Sequence, residues 1–485
     1  MSYKIVVIFS LLFFPVSFIS SSAHAEDIEK INLRSAVELA LNNNLNIQLR
    51  RQDVNAAEGA VLSAQGKFDV YIDAQAYGRS EERTPLFIGG ATQEDSGLWN
   101  AEASKMFSTG TSLNLGWNNS SFNSDAFGLL LDPSYNSGLT LGVRQPLLRG
   151  FGMEVQTAQV QASQKQLQAA SFQVSSEAAN LAAEVKMAYW NLVFARQDIE
   201  VQQLSLELAQ KLLQETETKI SAGSLAEVEI YQPRAEVARR EEQQISAERA
   251  VGAAEDQLKI LLNSDQWLSS FVPTDQPATE AVSLDLPLII DNALQNRPDI
   301  KAADLLIEAA GLEEKKAKDD VRPDLSLVGD IGLAGTSDAY GDSVDRNLRN
   351  PDNLWQVGVT FSMPLENRGA RGNYQQARAS HYRAQASAEL LRQQIRKSVR
   401  TTVRDVHLAL KALDATRKTS FASSKSLEAE QAKFAAGRST TLDVLIAQQA
   451  YATALSQQNL TNATYANTLA ELDRIQGLIT FSSSR

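Results

Sequence analysis

Two carboxylates hold matching places in this chain. Glu229 lies six residues after Gly223, and Asp443 lies six residues after Gly437. Glycine supplies the backbone geometry that ends a helix, so each acid stands just beyond a sharp turn, at the start of the next helix. Singly, such an acid favours the positive end of the helix dipole. Gathered with copies from other chains, the acids would build a negative ring that attracts cations and disfavours anions at a narrow point. Arg438, directly after Gly437, brings the opposite charge and can latch onto an acidic neighbour across the turn. Exposed pairs of this kind contribute only about 0–1 kcal/mol, so a competing partner can open one. Leu225, Leu442 and Val444 surround the same turns, either as packing within the hairpins or as a surface for the helical tips of another protein.

Covalent and metal chemistry have few carriers. The chain has no cysteine, which removes disulfides, thiolate metal sites, a cysteine nucleophile and a lipid-bearing N-terminal cysteine. Of its three histidines, His24 falls in a leader, and His381 and His407 share one long helix. Phosphate-cradling glycine loops, serine elbows and metal-binding histidine pairs are missing. The reading is a non-enzyme with no cofactor and no metal. A net charge of -12 also argues against a nucleic-acid partner.

Residues 1–25 have the three parts of a secretory signal peptide: Lys4, an apolar run from Ile5 to about Phe18, and a small-residue end at Ala23-His24-Ala25. No later window offers about 20 uncharged apolar residues, so a conventional spanning helix is not expected.

The elements that position the tips are written twice. Ile31 to Asn43 returns as Leu284 to Asn296, Val143-Arg144-Gln145-Pro146-Leu147 as Phe361-Ser362-Met363-Pro364-Leu365, and Lys219 to Gly223 as Lys433 to Gly437. Matches in one order imply two tandem copies of a fold, 26–270 and 271–485. The first copy reads as a helix ending near Gly66, strands within 68–146, a long helix 157–222 and a return helix 226–262. The second reads as a helix 285–321, strands within 324–363, a long helix 373–436 and a return helix 440–478. Asn32 and Asp285 take the N-cap positions. Ala178, Val185, Leu192, Ile199, Leu206, Leu213 and Ile220 recur every seven residues, as do Val399, Val406, Leu413, Ser420, Leu427 and Phe434. Such repeats demand coiled-coil packing, and each long helix would reach roughly 95 to 100 Å. Tyr189 and Trp190 fill grooves between helices.

The strands alternate. Trp355, Val357, Val359 and Phe361 oppose Gln356, Gly358, Thr360 and Ser362, and Val70, Ile72, Ala74 and Ala76 behave likewise. Four strands are evident, closed by Pro146 and Pro364; the segment 97–119, with Leu113, Leu115 and Trp117, is either an extra hairpin or an external loop. Trp117 and Trp355 can anchor at lipid headgroups or pack within the sheet. Membrane barrels need at least about eight strands, and an open sheet would leave backbone groups unpaired in lipid. The chain must therefore oligomerise to close its barrel, collecting its helices into a hollow cylinder below.

Leu33 to Asn43, Asn296-Arg297-Pro298-Asp299-Ile300, Gln145 to Gly152, Ala436-Gly437 followed by Leu442-Asp443-Val444-Leu445, and Ala470 to Asp473 together resemble the TolC-like outer-membrane efflux protein family. The resemblance covers nearly the whole mature chain. It implies a mainly α chain whose homotrimer forms a twelve-stranded β-barrel in the outer membrane above a periplasmic α-helical coiled-coil tunnel. It further implies a passive exit duct of tripartite efflux or type I secretion, partnered by a periplasmic adaptor and an inner-membrane pump. Three chains would bring Glu229 and Asp443 into a ring of about six carboxylates, and the family aspartate at the second tip helps constrict the tunnel. A second family aspartate is Ile446 here, and a family arginine one residue after Arg438 is Ser439. The alternative reading is an envelope-anchored coiled-coil structural or adhesive protein; strands duplicated within each copy speak against it.

Overall fold

The structure, a computed structural model, describes residues 28–85 and 87–478; the leader lies outside them. β1 (Ile28–Ile31) leads into α1 (Leu33–Asn43) and α2 (Leu45–Gln65). β2 (Val70–Glu82), β3 (Gln93–Met106), β4 (Ser112–Ser124) and β5 (Ser134–Pro146) follow. A short α3 (Met153–Gln156) opens onto the 64-residue α4 (Ala158–Ser221), and α5 (Tyr231–Leu262) runs back along it to β6 (Ser270–Pro273). The second half runs α6 (Leu286–Asn296), α7 (Pro298–Asp319), β7 (Asp324–Ser337), α8 (Tyr340–Arg349), β8 (Asp352–Ser362), the 68-residue α9 (Arg368–Ala435) and α10 (Thr441–Ile475). No helix among the described residues is long and apolar enough to cross a membrane.

The first helix of each half is broken, where periodicity alone predicts one continuous helix. Asn44 takes an extended conformation between α1 and α2, and its side chain accepts the N–H of Asn46 while donating to Leu261 O at 2.9 Å. In the second half the break falls at Arg297 (ψ 127°), because the ring of Pro298 disfavours helical geometry in the residue before it. Asn32 caps α1 in a reciprocal capping box with Ser35, whereas Asp285 occupies the N-cap position of α6 without a side-chain bond. The return helix expected from 226 begins with a 3-10 turn, Glu227–Ile230.

Helices α2, α4, α7 and α9 lie side by side at the strand end, and α5, α4, α10 and α9 at the opposite end. Val399, Val406, Leu413, Ser420, Leu427 and Phe434 are all buried along α9, so the seven-residue row is the packed seam of that helix. Between the two ends, β1 and β6 pair in parallel. Tyr189 fastens them: its hydroxyl lies 3.1 Å from Ile31 O and 2.7 Å from Asp275 Oδ2, and it accepts the N–H groups of Thr274 and Asp275. It is thus a polar hub as well as the groove filler that helix spacing implies, and burial raises its pKa.

The main sheet has the order β2-β3-β4-β5-β7-β8, each neighbour antiparallel. Four strands per chain therefore becomes six, and the segment 97–119 belongs to a hairpin of β3 and β4. The reason it escapes periodicity is visible in β3: Ala101 and Ala103 share a face with Trp99 and Lys105, too weak an alternation to announce a strand. One row shows the sheet's sidedness. Ile72, Ala103, Leu115, Leu141, Ile331 and Trp355 pair across all six strands, while the row on the other face is Tyr71, Ser104, Asn114, Gly142, Asp330 and Gln356. One face is apolar and the other polar, the pattern of a barrel wall between lipid and water. Trp117 and Trp355 lie on the apolar face, Trp117 also donating to Ser137 Oγ at 3.3 Å. Helix α8 has no counterpart in the sequence reading. It packs on this apolar face at the loop end, with Tyr340 5.2 Å from the Trp99 ring and Ser343 and Asn347 over Gly335.

Candidate functional site

The far ends of the two hairpins are built alike. Gly223 (φ +74°) and Gly437 (φ +71°) adopt the left-handed conformation. In the first tip Gly223 N donates to Ile220 O and Ser224 N to Lys219 O; in the second Gly437 N donates to Phe434 O and Arg438 N to Lys433 O. These bond pairs satisfy carbonyls that a helix end leaves open. Duplicated sequence has become duplicated backbone.

Beyond the glycines the tips diverge. Asp443 closes a capping box: Thr440 Oγ1 receives the N–H of Asp443, and the Asp443 carboxylate accepts from Thr440 N at 3.1 Å and Oγ1 at 2.6 Å. The Thr440 hydroxyl first, then its N–H, holds Asp443 below the usual carboxylate range. Ser439 links Asp443 to Glu430, whose own pKa is lowered chiefly by the Ser439 bond. Glu229 is half-buried in the 3-10 turn. Equal spacing from the glycines thus gives two acids in different local settings.

The expected latch at Arg438 is exposed and forms no ion pair among the described residues. The connection between the tips is made elsewhere. The Lys219 ammonium sits 3.5 Å from the centre of the Phe434 ring and also donates to Phe434 O, joining α4 to α9. Below it, Leu212, Phe434, Val444 and Leu445 form an apolar cluster shared by α4, α9 and α10. Val444, only 1% exposed, is therefore packing and not available as a docking surface; Leu442 is 49% exposed and Leu225 partly so. Lys219 was legible in one respect: it is the repeat partner of Lys433, which instead pairs with Glu430 at 2.9 Å.

At the other end, Gln145 to Gly152 pins the junction of sheet and helices. Arg144 and Arg149 both bond Asp324 at the start of β7, and Gly150 N donates to Asp319 at the end of α7. His381 bonds Glu314 at 2.7 Å between α9 and α7. Among the described residues no cluster of three or more acidic, histidine or cysteine side chains is placed to hold a metal ion.

A sheet with one apolar and one polar face, continuous with helices of some 64 and 68 residues that end in glycine turns, defines a membrane-anchored channel subunit. The comparisons agree. The sequence matches the family described as outer membrane efflux protein over residues 100–264 and 289–478. The chain belongs to that family. It is 23% identical over 437 residues to the outer membrane protein TolC of Vibrio cholerae serotype O1, covering 88% of this chain and 94% of that protein. It is 24% identical over 292 residues to the pyoverdine export outer membrane protein OpmQ of Pseudomonas aeruginosa, 58% of either chain. Among solved structures, the outer-membrane channel OprN superposes with a TM-score of 0.70 at 19% identity, over 92% of this chain and 89% of that one. VceC of Vibrio cholerae gives 0.68 at 17%, over 92% and 96%. The protein is an outer-membrane channel of the tripartite efflux type, a trimer of barrel and helical tunnel that works with an adaptor protein and an inner-membrane pump.

Proposed function

We propose that the channel is a passive duct, without catalytic chemistry, whose one controlled point is the ring of tips. Each repeat, 26–270 and 271–485, contributes one hairpin, and three chains place Gly223, Gly437 and their following acids around the periplasmic entrance. Glu229 and Asp443 make that entrance electronegative. Arg438 is an open cation at its rim, and Leu225 and Leu442 are the apolar contacts for the adaptor.

The observation that carries this reading is the Lys219–Phe434 link. Together with the apolar cluster of Leu212, Phe434, Val444 and Leu445, it ties the first tip to the second within one chain, so the two hairpins move together. The cation–aromatic contact adds about 0.5–2 kcal/mol to that packing, a bias toward closure that a docking partner can overcome.

Planar-bilayer recording under a salt gradient tests the acidic ring. The native trimer should be cation-selective, and Glu229→Gln with Asp443→Asn should move the reversal potential toward zero. The N-cap residue Thr440 is untouched, and the asparagine amide oxygen at 443 can still accept from Thr440 N, so the second change keeps the capping box. An unchanged reversal potential in the double variant would remove the ring from the account.

A further inference from the structure

We propose that all six strands of each chain enter the membrane wall, so that three copies close an eighteen-stranded barrel, with β2 of one copy pairing with β8 of the next. The inference rests on the trimeric channel architecture and concerns the width of its exit.

Four observations converge. The apolar row continues without interruption across the extra hairpin, through Ala103 on β3 and Leu115 on β4, and the polar row beside it through Ser104 and Asn114. The hairpin therefore has the same lipid and water faces as its neighbours. It also stands between β2 and β5, which pair with β3 and β4 and not with each other; a narrower barrel would have to break both ladders and form a new one. Its inner turn is fixed at the base of the wall. Gly152 N donates to Thr109 O at 3.2 Å, Thr111 Oγ1 bonds Gln145, and a Cβ on Gly110 would come within 2.5 Å of Gly150 O. That seating gives the Gln145 to Gly152 segment a purpose: it receives the turn of the hairpin. Finally, among the described residues β2 and β8 each present one edge unpaired within the chain, and lipid tolerates no such edge.

The dimensions agree. Strands β2, β5, β7 and β8 each adjoin one of α2, α4, α7 and α9 through a short segment, so three chains set twelve helices under the barrel. Twelve helices at their usual spacing of about 8–10 Å make a ring roughly 100–120 Å around. Eighteen strands about 4.8 Å apart and tilted by about 40° span roughly 110 Å, and twelve span only roughly 75 Å. The larger barrel meets the tunnel wall without a neck. The exit is then as wide as the tunnel, and restriction falls to the tips alone.

The chain lacks cysteine, so a single introduced thiol can carry a fluorophore. Ala101 and Glu102 are adjacent on β3 and face opposite sides of the sheet. In the full-length trimer reconstituted in vesicles, label on Ala101→Cys should be quenched several-fold more by brominated phospholipid than label on Glu102→Cys, and aqueous iodide should reverse the order. Electron cryomicroscopy of the native trimer should show eighteen strands, in a barrel about 1.5 times the diameter of a twelve-stranded one. Lipid quenching that does not separate 101 from 102, or a twelve-stranded barrel, would overturn the proposal. Single-channel conductance of the same samples reports separately whether the duct itself has assembled.

Discussion

Tyr189 concentrates much of the middle of the molecule in one hydroxyl. It receives two backbone N–H groups and reaches the Asp275 carboxylate. Tyr189→Phe keeps the ring and its edge-on contact with Trp190 but leaves the part-buried Asp275 N–H without its acceptor, while Thr274 N keeps Ile31 O, at a cost of about 1 kcal/mol; a lowered denaturation midpoint of the detergent trimer, with unchanged channel selectivity, is the expected result. Asp443 predicts a pH response. Its folded pKa is depressed by the Thr440 bonds, so its contribution is present above the ordinary carboxylate range and lost as pH falls through the depressed value. Amide protection over the first turn of α10, corrected for intrinsic exchange, should therefore hold at neutral pH and fall in acid. In Asp443→Asn that acid-dependent fall should disappear. The positions of Glu229 and Asp443 were legible from spacing alone. Their different roles were not, because a 3-10 turn and a capping box depend on three or four residues acting together.

At the scale of elements, long helices are the easiest feature to read, since a sustained seven-residue row fixes both period and face. The observed α4 and α9 start and stop within a few residues of expectation, α9 beginning five residues before Asn373. What resists reading is contact between elements far apart in sequence. Lys219 and Phe434 are 215 residues apart, and no local pattern announces their meeting. Phe434→Ala removes the ring from both the cluster and the cation contact, a truncation of about 3–5 kcal/mol for a buried phenylalanine. Hydrogen exchange should rise at the ends of both α4 and α9, and the channel should open more often in bilayers. Exposure confined to α9 would show that the two tips are independent.

For the whole molecule, duplication, polarity and length sufficed to recognise a subunit that is completed only by copies of itself. The strand number was the exception. Leu113, Leu115 and Trp117 mark β4 in the sequence, but alanine and glycine in β3 carry little hydrophobic signal, and its membership of the sheet is set by pairing with β2 and β4. The junction offers a direct check. Gly110 has φ +91° and no room for a Cβ beside Gly150 O; Gly110→Ala should strain the turn by about 1–3 kcal/mol and lower the thermal midpoint of the trimer, while leaving hydrogen exchange at the tips unchanged.

The β3–β4 hairpin begins and ends inside the sheet, turning back at Phe107–Thr111 with no helix attached to either strand. A unit inserted in that way shifts no heptad beneath it and moves neither tip. The size of the mouth is therefore set separately from the tips, and removing such a unit would narrow the exit while the tips stay in register.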